Sequence, residues 1–421
     1  MITNYFRKSV SIVLFLTLAS LAAPAGTITF RFVAGTALYQ QPTLLTEVLP
    51  GVFYSSGVNE VAFSVTPQGQ LTSLANFNPS SLQHWFVTGA NGRAYNSISG
   101  IPGNVVSIGL SPGTKRVYAS PTIVPTLLQN LPDGTLLGYG NNSTNYFLMK
   151  SDLQGTVASF YQFPAGEIVW SALYATDRNY YGVSSPRGQY GYVYRVTPSG
   201  TLTNLLTLPV TYGPLLQGTD GNLYGAAGAG GANNTGTIYK LTLSGQYTLL
   251  YSFTTGANRI PYWLIEGSDG NLYGATYGNG FAATLFQVTT SGQYTLIKTM
   301  APGACACALT LGSDGNIYGD ATGGGPSGAG FIFALEGGFP KPAPRALEFR
   351  PRQGAVGSTV RIWGYNLFNA AVQFNGVPAP TVSNGGSNYV LATVPTGATS
   401  GPITVSTPGG TSTTAASFVV K

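Results

Sequence analysis

The chain of 421 residues holds 57 glycines, 27 prolines and 26 tyrosines, yet only 8% of its residues are charged, against roughly 25% in an ordinary soluble domain. Its 43% hydrophobic content supplies a large core and excludes wholesale disorder. One histidine and two cysteines exclude a multi-histidine metal centre and a disulfide-dense scaffold, so neither metal nor cofactor is expected.

In chain order, residues 1–25 read as a signal peptide. Arg7 and Lys8 form a positive start, an apolar run covers 10–22, and Ala23-Pro24-Ala25 offers a cleavage site. No later segment approaches the roughly 18 continuous apolar residues of a membrane span. The mature chain is therefore expected to be exported, either secreted or placed in the periplasm or at the cell surface, without a transmembrane segment. Removing Arg7 and Lys8 takes the formal charge from +6 to +4. Five of the remaining cations lie between 341 and 361: Lys341, Arg345, Arg350, Arg352 and Arg361. They read as a solvated linker or as a contact for an acidic envelope polymer. No motif supports nucleic-acid binding.

Residues 26–338 are dominated by a repeat. Gly218-Thr219-Asp220-Gly221-Asn222-Leu223-Tyr224-Gly225 returns at 267–274 and at 312–319, with weaker copies upstream. Turn anchors at 51, 92, 134, 178, 221, 270 and 315 are 41 to 49 residues apart, the period of a propeller blade. Each copy places Asp-Gly between two short strands and follows with a second pair around Ser-Gly, as in 237–250, so one repeat is two hairpins. The expected fold is all-β: a seven-bladed β-propeller, with six or eight blades as alternatives. The last repeat lacks its outermost strand, and residues 27–32 provide a spare one to close the ring. Cys305 and Cys307, spaced C-x-C, serve a local structural role or remain free thiols. After the stiff Pro-rich linker 339–344, several short strands over 345–421 indicate a small β-sandwich.

Two resemblances follow from these motifs. The opening Pro351…Gly354…Gly357…Val360-Arg361-Ile362-Trp363-Gly364, the stretch Val372-Gln373-Phe374-Asn375-Gly376 and a closing Pro408-Gly409-Gly410 resemble the IPT/TIG family of immunoglobulin-like domains over 345–420. The repeats resemble the GloVer tandem repeats of exported bacterial proteins, a likeness that implies a surface or secreted protein and no established activity. Seven-bladed lyases that open cyclic antibiotics share a loosely similar repeat. That likeness implies a His/Glu/metal constellation which one histidine hardly supports.

With strands A to D counted outward in each blade, A–B and C–D turns share one face and B–C and D–A connections the other. The turns are uniform, whereas the B–C loops vary and are rich in Gly, Asn and Ser, so binding is expected on the loop face. Trp85, Trp170, Tyr262 and Trp263 fall at the start of innermost strands, where they either ring the channel mouth or pack between blades. Flat aromatic faces bury sugar C–H groups, and Asn142, Gln189, Asn233 and Asn234 can bond hydroxyls. Asp133, Asp152, Asp177, Asp220, Asp269 and Asp314 occupy turns and read as structural. His84 is the sole imidazole base, and Glu266 with Asp320 is the one carboxylate pair to test for glycosidase-like chemistry.

The leading expectation is a monomeric, non-catalytic binding or scaffold protein for a glycan, an envelope polymer or a surface protein, with the C-terminal module as spacer or second contact. The alternative is an exported hydrolase or lyase, acting on a polysaccharide or cyclic ester through His84, Glu266 and Asp320.

Overall fold

The computed structural model describes residues 27–36, 41–57, 61–77, 86–98, 104–109, 114–119, 124–142, 144–186, 190–209, 213–254, 260–276, 282–301, 304–384 and 386–421. Every regular element among them is a β-strand, and none of the described residues forms a helix long and apolar enough to cross a membrane.

The repeat motif folds as it does because each of its residues has one job. In 267–274, Asp269 accepts the Asn271 backbone N–H at 3.2 Å, the Asn271 amide at 2.8 Å and the Tyr273 hydroxyl at 2.8 Å. Gly270 takes φ +78°, where a side chain would be strained. Tyr273 is then carried into the core, fully buried. Gly274 leaves room for the Phe286 ring of the next strand: a Cβ there would lie 2.3 Å from it. Asp177–Tyr181, Asp220–Tyr224 and Asp314–Tyr318 repeat the carboxylate–hydroxyl bond at 2.7 Å. Burial works against the charge of Asp220, but bonds from Asn222 and Tyr224 outweigh it and hold its carboxyl below the usual range. In the second hairpins, Thr197, Thr242 and Thr289 hydroxyls accept backbone N–H groups four residues on, at 3.0, 2.9 and 3.0 Å.

Six antiparallel four-stranded sheets follow in chain order over 46–76, 87–119, 124–162, 167–208, 216–252 and 261–299. A seventh joins three strands of 305–336 to Thr29–Gly35, which pairs with Phe331–Glu336. Phe30 stacks on Phe333 at 5.1 Å, and Arg31 pairs with Glu336 at 2.7 Å. Apolar clusters lie between neighbouring sheets. Val48 and Tyr54 pack with Phe86 and Ala94 between the first two, and Phe53 and Phe63 with Tyr318 and Ile332 between the first and last. The ring therefore closes as a β-propeller.

The C-terminal residues form a four-stranded sheet (Arg345–Arg350, Thr359–Tyr365, Tyr389–Thr393, Val382–Asn384) and a five-stranded one, with Phe349, Val360, Ile362, Phe374, Ile403 and Phe418 between them. The strand Thr359–Tyr365 shows how this module is placed. Val360 and Ile362 point into its own core, so the alternate residues Arg361, Trp363 and Tyr365 point outward. They meet the propeller. Trp363, 3% exposed, donates its indole N–H to the Asn130 carbonyl at 2.9 Å, Arg361 donates to the Asp133 carbonyl at 3.0 Å, and the Tyr365 hydroxyl accepts the Gln129 amide at 3.0 Å. The buried Glu348 carboxylate gathers Arg350 at 2.9 Å, Arg352 at 3.5 Å and, from the propeller, Arg178 at 3.7 Å. Three of the five cations read as a solvated linker thus serve structural bonds, because the chain turns back and lays the module on the A–B turn face.

Candidate functional site

The two faces of the propeller differ sharply. On the A–B turn face the innermost strands end in side chains that clasp the turn of the preceding sheet. Glu266 accepts the Thr219 backbone N–H at 2.8 Å and its hydroxyl at 2.6 Å. Glu47 does the same to Ser313 across the ring seam, at 2.8 and 2.7 Å, and also accepts Gly51 N–H at 2.7 Å. Gln217 exchanges two bonds with Thr176, both 3.0 Å. All three stand at the same repeat position, directly before the turn. Burial pushes the Glu47 carboxyl up to about 7 against the lowering effect of its three hydrogen bonds, and burial likewise raises Glu266.

Placing Glu266 in a clasp revises its reading as half of a catalytic pair. Its carboxylate oxygens hold the Thr219 turn, in register with the pair nearest the turn (Glu266↔Leu272). Asp320 opens no loop; it lies inside the strand Ile317–Thr322, opposite Ala308 and Ile332, and is wholly buried. That is three residues beyond the turn-end pair of its own sheet, about 10 Å along the strand. Glu266 lines a cavity on the turn face, and Asp320 is not among the residues lining it. His84 lies outside the described residues. Among the described residues no group of three or more His, Cys, Asp or Glu could hold a metal ion.

The loop-face candidates fall into three groups. Trp85 and Gln189 lie outside the described residues. Trp170 and Trp263 are half-buried between sheets: Trp170 donates to the Ser185 hydroxyl at 2.8 Å and packs on the cluster of the fourth and fifth sheets, and Trp263 donates to the Leu309 carbonyl at 3.0 Å. Tyr262 lies tilted beside Trp263, ring centres 6.3 Å apart. The remaining group stays on loops. Asn142 shapes its own turn, accepting Asn145 N–H at 3.0 Å, and Asn234, at φ +52°, accepts Gly230 N–H at 2.8 Å. Asn233 is exposed beside it. Sequence reasoning missed Tyr190, which stands 61% exposed on the loop between the second and third strands of the fourth sheet. Its signal was an aromatic outside the repeated core register.

A family model described as the Gloeobacter/Verrucomicrobia repeat matches residues 207–344. No curated protein matches the chain in sequence. Among solved structures, the chain is similar to a streptogramin B lyase at 15% identity and TM-score 0.59, over 73% of this chain and 97% of that one. It is also similar to a catalytically inactive virginiamycin B lyase from Staphylococcus aureus with quinupristin (14%, TM-score 0.58, 73% and 99%). The WD40 propeller domain of Doa1 matches at 12% and TM-score 0.51, over 73% and 97%. At these identities the likeness concerns the fold alone: the chain carries the Gloeobacter/Verrucomicrobia repeat over 207–344 and folds as a β-propeller.

Proposed function

We propose that the protein is an exported, monomeric, non-catalytic binding and scaffold protein whose propeller offers its loop face to a glycan or another cell-envelope or extracellular polymer. In this reading the seven sheets are the blades of a seven-bladed propeller. Residues 1–25 are a signal peptide, and 345–421 form an immunoglobulin-like module of the IPT/TIG kind.

One observation carries the proposal. The C-terminal module lies across the turn face through Trp363, Arg361 and Tyr365, so a large partner meets the propeller on the loop face. There Tyr190 presents an exposed ring and Asn233 an exposed amide, groups that bury sugar C–H surface and bond hydroxyls. Trp85 and Gln189 join them on sequence grounds. A glycan array probed with the full chain is the test. Binding to a defined polysaccharide class, weakened at least tenfold by Tyr190→Ala together with Asn233→Ala, is expected. A blank array, or binding indifferent to both substitutions, rejects it.

The rival, an exported hydrolase or lyase acting on a polysaccharide or cyclic ester, has the fold likeness to streptogramin lyases in its favour. Weighing against it are the burial of Asp320 within its sheet and the engagement of Glu266 by Thr219. Ring opening of a cyclic ester, abolished by Glu266→Gln, would replace the binding reading.

A further inference from the structure

Between the propeller channel and the docked module lies a cavity of about 840 Å³, inside the range of about 300–1,000 Å³ that small-molecule sites occupy. Its walls come from the innermost part of all seven sheets, through Leu44, Val87, Leu128, Leu173, Leu216, Ile265 and Leu311. Most of the polar side chains among them are turned to other work, the Ser268 hydroxyl being an exception. Gln217 and Glu266 hold turns, Glu47 holds Ser313, Gln129 bonds Tyr174 and Tyr365, and the Thr46 and Thr310 hydroxyls bond the Phe86 and Leu45 carbonyls. What faces the cavity from the propeller is therefore largely hydrocarbon.

The roof is different. It consists of module loops bearing Asn366, Asn369, Ser387 and Asn388, with Lys341 of the linker and Arg345 at the start of the module's first strand. Arg345 lies 5.7 Å from the Tyr365 ring centre, and its charge works against the burial that raises Glu266. Lys341 is exposed and its ammonium stays in water. The chamber thus offers mainly apolar walls and an amide-bearing roof, and the carboxylates Glu47 and Glu266 in its lining are engaged by hydrogen bonds to Ser313 and Thr219.

We propose that this chamber is a binding site for an uncharged lipophilic small molecule, its hydrocarbon body in the channel and hydroxyl or carbonyl groups under the amides of the module. A net charge in the channel would have to shed its hydration against leucine walls, away from Lys341 and Arg345, which disfavours ionic ligands. The site is independent of the loop face, so either proposal can fail alone.

The test uses the full chain and the uncharged dye Nile red. Saturable binding with blue-shifted emission is expected, displaced by decanol and much less by decanoate. Three variants fill the chamber separately: Leu44→Trp, Leu216→Trp and, from the half-buried roof, Asn388→Trp. In each variant that keeps the wild-type melting temperature, dye affinity should fall at least tenfold. No saturable binding to the wild type, or unchanged affinity in Asn388→Trp and any folded wall variant, overturns the site. Equal displacement by decanoate overturns its preference for uncharged ligands.

Discussion

At the scale of single residues, the motif explains why this chain concentrates glycine and spares its carboxylates for turns. Gly274 is required by the Phe286 ring, so Gly274→Ala should cost about 1–3 kcal/mol by overpacking, and Phe286→Leu in the same chain should recover part of that loss. Urea unfolding of Gly274→Ala, Phe286→Leu and the double variant checks the pair; independent, additive losses would refute the contact. Glu47 makes a second prediction, on pH. Its carboxyl is raised from 4.5 to about 7 in the folded state, so the native protein holds that proton more tightly than the unfolded chain does. The stability it contributes is fully present below pH 4.5 and lost as pH rises to about 7, in the limit on the order of 3 kcal/mol. Glu47→Gln, which copies the Gln217 clasp, should flatten this part of the profile and melt higher than wild type at pH 8. Parallel melting curves would refute it. Turn aspartates and their tyrosines were legible because they recur in every clear repeat. The clasp was not, since the partner Thr219 lies 47 residues from Glu266 in another repeat. Its trace was nonetheless present, in Glu47, Gln217 and Glu266 sharing the position before the turn.

At the scale of strands, alternation and turn chemistry made the hairpins readable, because each is local and each turn residue has a backbone demand to meet. Bulges were not readable. The innermost strands shift register at Leu127/Gln129, Val169/Ser171 and Pro261/Trp263, the last two at the positions of Trp170 and Trp263, which pack against neighbouring sheets. The strand Thr29–Gly35 covers the outer edge of the last sheet. A chain lacking residues 1–35 should expose the edge of Phe331–Glu336 and associate through it. Size-exclusion chromatography should then show larger assemblies for the truncated chain than for the intact one; the same elution state for both would contradict this.

At the scale of the molecule, the sequence distinguished two modules but not their embrace. A proline-rich connector and five sparse cations read as a spacer, and the contact depends on a face that becomes visible only once the strand Thr359–Tyr365 is known to bury Val360 and Ile362. Arg361, Trp363 and Tyr365 were the clue: three large polar-tipped side chains alternating outward from a small sandwich. Trp363→Ala should loosen the docking, giving faster proteolysis within 339–344 and a more extended particle in small-angle scattering while both modules stay folded. Unchanged proteolysis would mean that other contacts suffice. The cavity belongs to this scale too, since neither module encloses it alone.

The seam of the ring has one further consequence, which concerns time. Thr29 and Glu336 are partners 307 positions apart, so the first strand of the propeller waits for its last. At synthesis rates of about 5–20 residues per second that interval is roughly 15–60 s. Throughout it, Phe30 and Phe32 have no sheet to join, and the growing arc of blades has an open end. Nothing within the first six sheets can end that wait, so the propeller reaches its closed form in one late step, when the chain's two ends of the ring meet.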